Sequence, residues 1–103
     1  MGLDDLALVY TRVRLLGQAA RLLNQPELAQ YAIQLGQELL ERDPYGINSR
    51  LLVAGLLWEV GRLDAASGIY RRCLELNDQT YLAGVPRLSE DDLVLVKSRA
   101  AWP

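Results

Sequence analysis

Apolar residues recur at three- and four-residue spacings along most of this chain and never alternate with polar ones over the length of a strand. That period is the one an α-helix needs to bury a single face. Between Leu3 and Leu23 the pattern runs unbroken, with Leu8, Tyr10–Thr11, Leu15, Ala19, Leu22 and Leu23 in register. Asn24-Gln25-Pro26-Glu27 reads as a stop and restart: Asn24 or Gln25 caps, proline needs no N–H in a first helical turn, and Glu27 meets the positive helix end. A second helix is predicted to about Arg42, where Asp43-Pro44-Tyr45-Gly46 ends it because proline disfavours helix in the residue before it. Asn48 or Ser49 is expected to cap a third helix through Val60, closed by Gly61. A fourth is predicted from about Leu63 to Leu76. Asn77–Leu88, with Gly84 and Pro86, reads as a loop, and Ser89-Glu90-Asp91-Asp92 opens a last helix to about Ala100. The prediction is an all-α chain of five helices joined by short turns, with apolar sides at Leu88, Leu93, Val94, Val96 and Trp102 on the last.

Composition narrows the chemistry. The chain has 103 residues, half of them apolar, and a net charge of -2. That is one domain, without the basic stripe that phosphate contacts require, so nucleic acid is not an expected partner. Histidine is absent, and Cys73 is the only cysteine. Imidazole chemistry, an internal disulfide and a thiolate zinc site are therefore excluded, and no cofactor or metal is expected. No serine or cysteine has a recognisable base beside it, no glycine-rich phosphate loop occurs, and Glu38 and Glu41 lack a perturbing neighbour; an enzyme is not expected. Glu90-Asp91-Asp92 is acid at a helix N-terminus, which needs no metal to explain it. No apolar run is long enough for membrane insertion, and Asp4-Asp5 without a basic leader points to a cytoplasmic location. All cations but Lys97 are arginine, a bias that fits a GC-rich bacterial genome.

The chain also repeats. Shifted by 34 positions, Ala20 falls on Ala54, Leu22 on Leu56, Leu23 on Leu57, Ala32 on Ala66, Leu40 on Leu74 and Glu41 on Glu75. Ile47 to Asp78 carries Val53-Ala54 and Leu57 on a first helix, Gly61 at a turn, then Ala66, Tyr70 and Cys73 on a second. This pattern resembles the tetratricopeptide repeat, a helical pair of ~34 residues with small side chains where the two helices cross. The first copy matches at Ala20, Leu23, Ala32 and Pro44. It departs at Glu27, where the turn glycine belongs, and at Gly36, where a large residue is usual. Arg50 replaces an expected aromatic, and Asp78 a terminal proline.

The resemblance implies a single domain: repeat 1 over about 11–44, repeat 2 over about 45–78, and a C-terminal loop and capping helix over 79–103. Two repeats are fewer than the ~3 that close a stacked core, so the last helix is expected to cover the open end or fold into the groove. In this family ligands lie along the concave face, lined by the first helix of each pair. Here that implies Arg14, Gly17, Gln18, Arg21, Asn24 and Gln25, then Asn48, Leu51, Leu52, Gly55, Trp58 and Glu59. The carboxylate clamp of co-chaperone members is missing, since Gly17, Arg21, Leu51 and Gly55 hold its positions. The expected partner-binding residues are Arg21, Leu51, Leu52, Gly55 and Trp58, an apolar stripe suited to an amphipathic helix or apolar peptide of another protein. The expected function is a non-enzymatic adaptor. Alternatives are a bacterial type III secretion chaperone that holds a needle-type subunit, to which Arg50–Ala66 is loosely similar, and a self-associating assembly protein or homodimer.

Overall fold

Five α-helices make up nearly all of residues 3–79 and 87–103, the part of the chain that the computed structural model describes, with side chains described from Leu6 onward. They are α1 (Leu3–Leu23), α2 (Pro26–Arg42), α3 (Ile47–Glu59), α4 (Leu63–Asp78) and α5 (Glu90–Ala100), with no strand among the described residues. The all-α expectation holds, and the boundaries fall within three residues of the predicted ones. Most of the expected loop from Asn77 to Leu88 lies outside the described residues.

Two differences at helix ends have local causes. The third helix starts at Ile47 with Gly46 as its N-cap, two or three residues before the expected cap. Ser49 is occupied elsewhere: its hydroxyl donates to the Asp43 carboxylate at 2.9 Å. Arg50 donates to the carbonyls of Asp43 (2.6 Å) and Gly46 (3.2 Å). The residue that departs from the expected aromatic thus staples the α2–α3 turn. The fourth helix runs two residues past Leu76, and Asn77 Oδ1 accepts the Leu88 N–H at 2.8 Å. Ser89 caps α5 as expected, accepting the Asp92 N–H at 3.2 Å.

Both hairpins turn in the same way. Asn24 and Gly61 have positive φ, 53° and 84°. The next N–H reaches back five residues, from Gln25 to the Ala20 carbonyl (3.0 Å) and from Arg62 to that of Leu57 (2.9 Å). Such a C-terminal cap requires the left-handed region, which glycine enters freely and asparagine at modest cost. The structural counterpart of Gly61 is therefore Asn24, 37 positions away (24 to 61), and not Glu27. At this interval Ile33 matches Tyr70, Gly36 matches Cys73 and Leu39 matches Leu76, all of them buried. Gly36 then stands where the other hairpin has its small Cys73.

The hairpins α1–α2 and α3–α4 stack through α3, with α5 laid on α4. The contacts are close because side chains are missing where the helices meet. A methyl group at Gly36 would lie 2.7 Å from Val53 Cγ2, and one at Gly17 would lie 2.6 Å from Leu56 Cδ2. α3 is thereby packed by α1, α2 and α4 and is apolar on nearly every side, as a central helix should be. One cluster of buried residues runs from Val13 of α1 through Ala32, Val53, Ala66 and Cys73 to Val96 and Ala100 of α5. The molecule is a slab of 40 × 39 × 20 Å, about two helix diameters thick.

Candidate functional site

Leu51, Gly55 and Trp58 recur at four and three residues, so they share one side of α3, with Leu52 at its edge. All four are half-buried. This is the least covered side of the central helix. A Cβ added at Gly55 would meet only the Tyr70 hydroxyl, at 3.9 Å, so the dip at Gly55 is open space.

Trp58 is not a free anchor. The edge of its ring system meets Tyr70 at 6.2 Å between centroids, and Trp102 at 6.1 Å. The Arg99 guanidinium lies 4.8 Å from the Trp58 ring centroid and 5.6 Å from that of Tyr70, and it donates to the Tyr70 hydroxyl at 2.7 Å. Trp102 is held in turn by its indole N–H, which donates to Asp64 at 3.1 Å. Ser67 donates to the carbonyls of Ala100 (3.2 Å) and Trp102 (3.3 Å), and Arg71 donates to Ser67 Oγ (2.9 Å) and the Ala100 carbonyl (3.1 Å). The chain's own C-terminal segment thus covers one flank of Trp58, while Trp102 itself stays 41% exposed. Sequence reasoning placed Trp102 on the apolar side of the last helix but had no signal for Arg99, whose role depends on two rings from two other helices.

Arg21 sits apart from Trp58. Its guanidinium donates to Glu59 at 2.8 Å, bridging α1 and α3 on the surface. The pair stands at a cleft of about 660 Å³ whose walls include Gly17, Ala20, Pro26, Ala29, Leu56 and Val60. Glu59 lies four residues after Gly55, on the same side of α3, so the α3 stripe leads into this cleft. Leu51, Leu52, Gly55 and Trp58 thus share the half-buried side of α3, and Glu59, next to Trp58 in the chain, connects it to Arg21. Gly17 forms part of the cleft wall but is itself buried against Leu56. Ala29 and Val60 carried no sequence signal, because only the crossing of the two hairpins brings them together.

Three groups are shifted from their usual titration, each by packing. Burial pushes the Tyr70 hydroxyl up, opposed by the hydrogen bond and charge of Arg99. Burial pushes the Cys73 thiol up to about 11, opposed by the charge of Arg50. A thiol so held is protonated at neutral pH and a poor nucleophile. Arg50 is lowered by its own burial and then by Arg72. Among the described residues no cluster of three metal-ligating side chains occurs, and no helix is long and apolar enough to cross a membrane.

Compared with known proteins, the chain matches no family model, no curated protein and no solved structure.

Proposed function

We propose that this chain is a protein-binding module of the tetratricopeptide type. It takes an apolar helical segment of another polypeptide along the open side of α3, with one end of that segment in the Arg21–Glu59 cleft, and does no chemistry of its own. The observation that carries this reading is the 660 Å³ cleft, mainly apolar on its walls, which Glu59 of α3 lines together with Arg21 of α1. A groove with few polar groups and a dip in its floor suits the apolar face of a helix, whose own backbone is already hydrogen-bonded. The strut across the cleft gives way cheaply, since an exposed ion pair contributes at most about 1 kcal/mol. The turn-to-turn interval of 37 positions is longer than that of the family's usual repeat.

Affinity capture tests this. The chain and its Gly55→Arg variant are used in parallel on lysate of the source organism, and retained polypeptides are identified by mass spectrometry. The expected result is a polypeptide retained by the wild type and lost from the variant, with both proteins equally helical by circular dichroism. Equal retention by both removes the α3 side as the site.

A further inference from the structure

The two ends of the helix stack differ. The α3–α4 hairpin is covered by α5, whereas α1–α2 has no described helix on its outer side. That side is apolar: Leu8 is 57% exposed, Leu15 51% and Tyr31 55%. Leu8, Leu15 and Leu22 are spaced by seven, which holds them in a line down α1. Beside this line runs a cleft of about 450 Å³ lined by Leu15, Leu16, Ala19, Tyr31, Leu35 and Arg12. From the outer face of this hairpin we infer that it docks a second copy of the same chain, in a two-fold dimer.

Charge placement selects this occupant. Arg12 of α1 and Glu38 of α2 line one small cavity, so they stand at the same level of the hairpin. A two-fold axis running alongside the helices keeps that level and sets α1 of one copy against α2 of the other. Arg12 of each copy then faces Glu38 of the other, twice by symmetry. Glu38 holds its own Arg42 through Oε1 at 3.2 Å, which leaves Oε2 to accept from the incoming guanidinium. One turn further along, Leu15 of each copy meets the level of Tyr31 and Leu35 in the other and fills the cleft beside them. A face two helices wide and about 25 Å long offers on the order of 700 Å² of accessible surface, close to the ~800 Å² per partner of a standard interface. The α3 side and the Arg21–Glu59 cleft stay outside this contact, so the dimer does not depend on the proposed binding function.

The test is sedimentation equilibrium of the full chain from low-micromolar to millimolar concentration, with circular dichroism confirming that each variant is folded. The wild type is expected to show a reversible monomer–dimer equilibrium. Leu15→Arg, at a half-exposed position, should raise the dissociation constant about a hundredfold by placing a charge in the apolar contact. Arg12→Glu and Glu38→Arg should each raise it about tenfold, because each sets like charges face to face. The double variant Arg12→Glu/Glu38→Arg should return to near wild-type affinity. A wild type that stays monomeric throughout overturns the inference, as does a dimer indifferent to Leu15→Arg or a double variant no better than the singles. A monomer that uses this face for a different polypeptide overturns it as well.

Discussion

Three glycines on neighbouring helices face three different surroundings, and the difference sets the sign of one substitution. At Gly36 a methyl group meets Val53 Cγ2 at 2.7 Å, and a β-branched side chain has little freedom to turn away. Gly36→Ala should therefore lower stability by about 1–3 kcal/mol. At Gly17 the obstacle is the end of Leu56, which can rotate, so Gly17→Ala should cost less than Gly36→Ala. At Gly55 the space is open, and alanine should raise stability by about 0.5–1 kcal/mol through its better helix propensity. Urea midpoints of the three variants check this order. The pH response is also a residue-scale matter. The Cys73 thiol is raised to about 11 from an ordinary 9.0, and the Tyr70 hydroxyl is raised too. For groups held protonated in the folded chain, the stabilising contribution is complete below the unfolded value and is lost as pH rises through the folded one. Stability should fall between about pH 9 and 11, and Cys73→Ala should flatten part of that fall; thermal midpoints across this range measure it.

α5 is joined to the rest in two ways: Val96 and Ala100 enter the common core, and the segment after it is fixed by hydrogen bonds between Trp102 and Ser67 and Asp64 of α4. Among its expected apolar positions Val96 is buried and Leu93 half-buried, but Val94 is 71% exposed, since it lies on the opposite side of the helix. A chain ending at Asp78 strips α4 of the partners of Ser67 and Tyr70 and opens the core that Val96 and Ala100 complete. It should bind a hydrophobic dye such as ANS and lose its sharp unfolding transition; a truncated chain that unfolds as sharply as the whole would show that α5 is dispensable. Trp102→Ala should cost about 0.5–1.5 kcal/mol, the usual worth of an aromatic pair, and shift the remaining tryptophan emission to the red. Unchanged emission would mean that Trp102 does not cover Trp58.

At the scale of the whole molecule, one buried cluster runs from α1 to α5, so the two hairpins share a core and should not unfold separately. Repeat arrays with weak interfaces unfold in stages, unit by unit. Here both tryptophans report on the half containing α3, α4 and α5, whereas far-ultraviolet dichroism reports on every helix. The two signals should give coincident denaturation midpoints. Midpoints that differ beyond error would show that the Gly36–Val53 and Gly17–Leu56 contacts are too weak to couple the halves.

What the sequence by itself determined is what depends on neighbours along the chain. Helix existence follows from the 3.6-residue period, and the stops at Pro26, Pro44 and Gly61 follow from backbone freedom. The cap at Ser89 follows from a hydroxyl three residues before a free N–H. The stripe of Leu51, Gly55 and Trp58 was expected from the resemblance to a repeat family, and helical spacing places the three on one side of α3. Tertiary structure alone decided how the helices pair off. Identical residues recur at 34 positions, but the turns stand 37 apart, because equivalence there depends on backbone conformation, which Asn24 and Gly61 share without being the same residue. The same holds for Arg21 with Glu59, 38 residues apart, and for Arg99 between Trp58 and Tyr70. Periodicity tells which face of a helix is apolar, but only packing in three dimensions selects which distant side chain that face will meet.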